Sequence, residues 1–302
     1  MSVLFEAVYE GHRYVGFDRG PVVTLHRVAD GQVADAVVEA NGSVSALRAS
    51  LASGASGASG ASIEVSLNDP GLRFLPPLLP AGGEKALLSG FMGTHKKKWD
   101  GRTFVEGDEF VPPKWFFKGF GDWARLPGEP LTVPASPVAL IEEPEVLLVY
   151  VNDAEGYPHY AGYTFANDLC DIGLHRKDNG YNPYCKLCDT AVAPWLFLDA
   201  PPVSVTGRVS IVRDGAVAWE GPFDCGADAL YYRVQDMVEH LFSFPAVRRP
   251  GLVNYVLLGA DEASFHDGFR IADGDRIEID VKSHDVVLSN EVRYVGPVPL
   301  GR

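Results

Sequence analysis

Short apolar runs separated by turn residues dominate the chain. Residues 1 to about 50 read VLFEAVYEG, HRYVGFDRG and PVVTLHRVADG, the strand-and-turn pattern of a small β-rich domain. VLLVYV (146–151) is a nearly continuous apolar run and predicts a buried strand. VSVTGRVSIVRDGAVAWEG (203–221) predicts two strands joined at Asp214-Gly215, a good hairpin turn. ADALYYRVQDMVEHLF (227–242) sets Leu230, Val234, Met237, Val238 and Leu241 at helical spacing, and that stripe reads as core. DGDRIEIDV (273–281) alternates Ile277, Ile279 and Val281, a half-buried strand after a turn. ASGASGASGAS (52–62) is low in complexity and reads as a flexible excursion without chemistry. Alternating βαβ units are absent, and no Gly-rich phosphate motif follows a strand. The pattern therefore predicts a mainly β chain with some helix (α+β), not a doubly wound sheet.

Composition narrows the partners. The 302 residues are 46 % hydrophobic, enough for a packed core, and suit one large domain or a large one with a small companion. Lys and Arg number 26 against 40 Asp and Glu, a formal charge of −14. That balance argues against nucleic acid, which needs clustered Lys and Arg, and against a polybasic membrane contact. The N-terminus MSVLFEAVYEGHRYVGF has no basic leader segment, and no stretch approaches the roughly 18 apolar residues of a membrane span. A soluble cytoplasmic protein is the expectation. The four cysteines, Cys170, Cys185, Cys188 and Cys225, are too few for a disulfide framework. Cys185 and Cys188 could form half a zinc site or a redox pair, but no second C-x-x-C exists, and buried reduced thiols are the better reading.

The candidate chemistry lies in the carboxylates. IEEPEVLLVYVND carries Glu143 and Glu145. On a strand such residues share a face about 7 Å apart. Unpaired, they repel, and a cation is one remedy. Oxygen ligands suit Mg²⁺, Mn²⁺ or Ca²⁺ rather than zinc. Gly162 to Asp168 alternates like a strand. A strand over 144–152, a turn at Glu155-Gly156 and a return strand would carry Asp168 back beside the glutamates. Paired surface glutamates on an edge strand are the other reading of that spacing. Downstream, NPYCKLCDTAVAPWLF puts Lys186 and Thr190 just before an apolar strand. Lys186, between Cys185 and Leu187, reads as a snorkelling lysine or as a desolvated, carboxylate-paired base or clamp.

Taken together these residues resemble the fumarylacetoacetate hydrolase superfamily. Its Glu-x-Glu and later Asp match Glu143, Glu145 and Asp168; its Gly-Tyr-Thr…Asn-Asp stretch matches Gly162, Tyr163, Thr164, Asn167 and Asp168. Its active-site lysine, followed by a threonine and a proline, matches Lys186, Thr190 and Pro194. WFFKG (115–119) resembles its Phe-x-Lys segment, PLTVP (130–134) follows, and Thr94-His95 stands where the family carries a lid histidine. The resemblance spans roughly residues 85 to 290. Within the superfamily, GTH (93–95), KWFFKG (114–119), ANDLCDI (166–172) and FPAVRRPGLVNYVLLGADEASFHDG (244–268) resemble the bacterial 2-keto-3-deoxy-sugar-acid dehydratases in type and order.

The resemblance implies a small N-terminal β-rich domain over 1–80 and a β-roll catalytic domain over 81–302. It implies Mg²⁺ (or Mn²⁺ or Ca²⁺) on Glu143, Glu145 and Asp168, and a small anionic 2-oxo acid that reacts through a metal-stabilised enolate. Lys186 and His95 are then the catalytic candidates, and Lys118, Thr190, Asn167 and Arg249 the substrate-binding ones. Dehydration is the expected reaction. C–C hydrolysis of an acylpyruvate, decarboxylation and ligand binding without turnover are the alternatives. A homodimer is expected from the same likeness. Glu106 and Asp108 fall on the lid-like loop as solvated acids. Two positions depart from the family pattern. Lys98 stands where hydrolase members carry the glutamate that pairs with the lid histidine, and Ala260 stands where a threonine hydroxyl contacts substrate.

Overall fold

The computed structural model describes residues 1–53, 62–105, 109–261 and 263–296. Most of the low-complexity segment, together with Glu106 and Asp108, lies outside the described residues. The chain opens with β1 (Val3–Tyr9), β2 (His12–Phe17), β3 (Val22–Arg27), α1 (Gln32–Ala40), α2 (Val44–Ala52), β4 (Ser62–Ser66) and β5 (Arg73–Leu75). It continues through β6 (Ala86–Met92), β7 (Lys114–Phe120), β8 (Ala124–Arg125), β9 (Leu131–Pro134), β10 (Pro144–Asn152) and β11 (Pro158–Asn167). Helices α3 (Ile172–Lys177) and α4 (Asn182–Cys185) lead to β12 (Thr190–Val192), β13 (Leu196–Phe197), β14 (Val205–Arg213) and β15 (Ala216–Cys225). Then come α5 (Val234–Phe242), β16 (Val253–Leu257), β17 (Arg276–Val281) and β18 (Val286–Val295).

The strands form two sheets. The larger runs β4-β3-β2-β1-β13-β11-β10-β16-β6-β7, with β5, β8 and β12 attached at its sides, and the smaller runs β15-β14-β17-β18-β9. The chain is mainly β, as its pattern predicts. VLLVYV lies in β10 and is apolar throughout because both faces are covered. Val146 and Leu148 pack with Val209, Ile211, Ile277 and Leu288 of the smaller sheet. Leu147, Val149 and Val151 pack with Val33 and Val37 of α1. Each such side chain taken fully out of water contributes about 1.5–3 kcal/mol. The Asp214-Gly215 turn joins β14 to β15, with φ of 52° and 79°, the left-handed pair a two-residue hairpin turn needs.

Two readings change. Residues 32–52 are helical, not strand and turn: Val33, Ala36 and Val37, then Leu47 and Leu51, recur at helical spacing and are buried. The Ser43 hydroxyl caps the second of these helices by accepting the Ala46 N–H. The helix read over 227–242 shrinks to Val234–Phe242, with one 3₁₀ turn over Ala227–Ala229 before it. The strands of the first 80 residues continue the larger sheet, since β1 pairs with β13 at Val3–Phe197 and Leu4–Leu196.

One end of the larger sheet collects the chemistry. The start of β10, the end of β11 and the ends of the parallel pair β16 and β6 meet there, because Leu147 pairs with Leu257 and Leu257 with Gly90. No described helix is long and apolar enough to cross a membrane.

Candidate active site

The β10–β11 hairpin sets the three acids. Pro144 opposes Asn167, so Glu143 and Asp168 stand across from each other just past the paired ends. The Asp168 N–H donates to the Glu143 carbonyl at 2.9 Å, and Ile141 and Cys170 continue the ladder one step further. The Asn167 side-chain oxygen accepts the Glu143 N–H at 3.0 Å. Pro144 fits as the first residue of a strand, where a missing N–H costs no ladder bond. Glu143, Glu145 and Asp168 are all buried, and one carboxylate oxygen from each lies within 4.8 Å of the others.

Two buried ammonium groups hold this cluster. Lys186 Nζ donates to Glu143 Oε2 at 2.7 Å and to Asp168 Oδ2 at 2.5 Å. Lys118 Nζ lies 2.7 Å from Asp168 Oδ1 and donates to the Leu169 carbonyl at 2.5 Å. Lys186 also lies over the Phe116 ring, 4.4 Å from its centroid. Burial disfavours the Lys186 charge, but Asp168, Cys170 and Glu143 outweigh it and hold the ammonium well above the usual lysine range. Asp168 is buried too, yet Lys118 and Lys186 hold its carboxyl below the usual range. Glu145 is the exception: burial, then Asp168 and Glu143, push it well above the carboxylate range. With all three acids ionised the cluster would carry one negative charge more than its two ammonium groups balance, and burial without a cation disfavours that state, which is why Glu145 is raised. An all-oxygen donor set with surplus negative charge fits a hard divalent cation.

Above the cluster opens a cleft of about 470 Å³, with Glu143, Glu145 and Lys186 in its wall. Lys98 and Ala260 line it as well. The other sequence candidates stand elsewhere. Lys118 lies behind Asp168, fully buried, and Asn167 holds the Glu143 backbone. Thr190 is fully buried at the start of β12, and its hydroxyl has no hydrogen-bond partner among the described residues. Arg249 is not brought to the site: its carbonyl accepts from Asn152, at the far end of β10. His95 is buried and does not line the cleft. It sits in a second cluster, with Nε2 3.6 Å from Asp224 and Nδ1 3.7 Å from Asp261, where the Lys97 ammonium reaches Asp261 at 2.7 Å. Burial pulls His95 below the ordinary histidine range against those two acids. The four cysteines are buried free thiols, and none belongs to a metal-ligand cluster among the described residues.

Several participants escaped the sequence reading. Glu142 points away from its neighbours and is held by the Ser264 N–H at 2.9 Å and hydroxyl at 2.6 Å; burial pushes it up to about 7. Its signal was present in IEEPE, since alternation turns residue 142 opposite to 143 and 145. His175 of α3 lines the cleft with Nδ1 buried and without a described partner. Nothing local marks it, because α3 reaches the cleft only through the tertiary fold. The Gly259 N–H donates to Glu145 Oε2 at 2.6 Å. Gly259 has φ of 104°, and a Cβ there would collide with the Thr94 hydroxyl, itself bonded to Leu258. Gly259→Ala is therefore expected to cost at least about 2 kcal/mol in urea unfolding and to weaken metal binding, because the donor to Glu145 must move.

No protein-family model matches the sequence, and no curated protein matches it. Solved structures do match. A 2-keto-3-deoxy-D-arabinonate dehydratase complexed with magnesium and 2,5-dioxopentanoate superposes with a TM-score of 0.68 at 18 % identity, over 98 % of this chain and 100 % of that one. A 5-carboxymethyl-2-hydroxymuconate delta-isomerase from Mycobacterium smegmatis gives 0.61 at 18 % identity, over 97 % and 100 %. A 2-hydroxyhepta-2,4-diene-1,7-dioate isomerase from Mycobacterium marinum gives 0.62 at 16 %, over 98 % and 100 %. These likenesses establish the fold, which the chain shares with all three proteins. The dehydratase that the sequence segments resemble is among the matching structures.

Proposed function

We propose that the chain is a divalent-metal-dependent enzyme that dehydrates a small 2-oxo acid of the 2-keto-3-deoxy-sugar-acid type. The observation that carries this reading is the convergence of Glu143, Glu145 and Asp168 on one point in the cleft wall, braced by Lys186 and Lys118. A magnesium ion held by those acids would polarise the keto oxygen of a 2-oxo acid and acidify its C3 protons. Lys186 Nζ faces the same point as an ammonium, placed to orient the substrate carboxylate; to act as the base at C3 it would first release one of its own protons along its hydrogen bonds to Glu143 or Asp168. The proton leaves C3 and the hydroxyl leaves C4 as water, helped by a donor on the cleft wall. His175 and His266 both line that wall. Thr190 and Asn167 act from behind the acids. The hydrolytic reading needs a histidine on the cleft to activate water through a carboxylate. His95, which has carboxylates beside it, lies off the cleft wall, and neither His175 nor His266 on that wall hydrogen-bonds a described carboxylate, which favours the lyase. A cytoplasmic homodimer belongs to the same proposal.

Incubation with 2-keto-3-deoxy-pentonates and Mg²⁺ is expected to yield a 2,5-dioxo product by mass spectrometry, and to yield none after EDTA. Release of pyruvate from acylpyruvates, without that product, would turn the reading to the hydrolase.

A further inference from the structure

The chain carries 26 basic against 40 acidic residues, yet the described wall of its cleft beyond the metal cluster has the opposite sign. Among the described residues of the cleft wall the carboxylates are Glu143 and Glu145, both in the metal cluster. Beyond them the wall presents Lys98, Lys114 and Arg176. These come from three separate segments: the 3₁₀ turn over Lys96–Trp99, the start of β7 and helix α3. None of the three makes an ion pair with a described carboxylate, whereas Lys186 at the floor of the same cleft is paired twice. Unpaired cations gathered over low-dielectric walls focus a positive field and raise the local concentration of anions.

The two departures from the family pattern meet here. Lys98 Nζ donates to the Ala260 carbonyl at 3.4 Å. Ala260 follows Gly259, whose N–H holds Glu145. The cation that stands in place of an acid thus reaches the backbone of the residue that has lost its hydroxyl, beside the candidate metal ligands. Arg176 is steadied against the Phe265 ring, 5.9 Å from its centroid.

We infer that Lys98, Lys114 and Arg176 form a second anion site, and that the substrate is a 2-oxo acid with another anionic group at its far end, a 2-oxo-3-deoxy sugar diacid. The inference rests on the metal and 2-oxo acid reading of the same cleft. One carboxylate and the keto oxygen go to the metal end, and the distal carboxylate goes to the three cations. Arg176 offers a planar fork for that group and the lysines act as point charges.

Calorimetric titration of the Mg²⁺-loaded protein with length-matched pairs tests this. The pairs are 2-oxoglutarate with 2-oxopentanoate, and 2-oxoadipate with 2-oxohexanoate. At low ionic strength the diacid of at least one pair is expected to bind about tenfold tighter, a preference that shrinks severalfold in 0.5 M salt. Lys98→Ala, Lys114→Ala and Arg176→Ala combined should erase it while leaving monoacid and Mg²⁺ affinity in place. All three side chains are exposed, so the variant should keep the wild-type melting temperature. Equal binding of mono- and diacids by the wild type, or a preference that survives the triple substitution, overturns the inference and leaves the metal reading standing. Absence of Mg²⁺ binding overturns both.

Discussion

Glu145→Gln is expected to lower Mg²⁺ affinity by at least about 100-fold while leaving the metal-free protein as stable as the wild type or more so. Removing even an outer partner of a ligand commonly costs 10–100-fold, and Glu145 is placed as a direct one. The stability half follows from the environment of the carboxyl. Burial, then Asp168 and Glu143, raise it well above the usual carboxylate range, so its charged form is disfavoured in the fold. A raised carboxyl contributes its stability below the unfolded value and loses it as pH climbs through the folded one. The advantage of the neutral glutamine should therefore grow as pH rises above about 4.5. Glutamine keeps an oxygen for the Gly259 N–H, so the loop stays in place. Thermal unfolding with and without metal reads both halves. Mg²⁺ at 100 times its dissociation constant should stabilise the wild type by about 2.7 kcal/mol and the variant by almost nothing. An equal Mg²⁺ shift in both proteins would remove Glu145 from the site.

The three clustered acids, Glu143, Glu145 and Asp168, were legible as a group because they sit at the ends of a hairpin whose strands and turn are local. Pattern alone fixed β10 as buried, alternation put Glu143 and Glu145 together, and the short return path brought Asp168 opposite. Lys186 entered through spacing and resemblance, and its ammonium pairs with both Glu143 and Asp168. The misplaced candidates share a different trait, since their roles depend on long-range packing. Arg249 lies close in sequence to β16, yet antiparallel pairing with β10 sends it to the far end of the sheet. His95 was read from the position of a lid, but Asp224 and Asp261, 129 and 166 residues further along, draw it into a cluster of their own. Helices α1 and α2 were missed because their valines and alanines also suit short strands, and only packing on β10 decides between the two. Of the cations at the cleft mouth, Lys98 stood out only as a departure from the family pattern, and Lys114 and Arg176 gave no local signal. The three come from separate segments, and each alone looks like an ordinary solvated side chain.

Lys118→Met is expected to cost about 3–5 kcal/mol in urea unfolding, the range found when one partner of a buried ion pair is removed. The sequence resemblance placed Lys118 among substrate-binding groups. In the fold its ammonium is spent behind the cluster, on Asp168 Oδ1 and the Leu169 carbonyl, with no exposure to solvent. Methionine nearly fills the volume but offers neither charge nor donor, so Asp168 keeps Lys186 alone and the Leu169 carbonyl is orphaned. Adding Asp168→Asn should return part of the loss, because the two residues are in contact and their effects do not add. A substrate clamp predicts the opposite pattern: unfolding free energy unchanged and KM raised at constant kcat. The two roles therefore separate on a measurement that needs no knowledge of the substrate. A stable Lys118→Met protein would return Lys118 to the cleft, and an unstable one rescued in part by Asp168→Asn would fix it as the brace on which the metal acids rest.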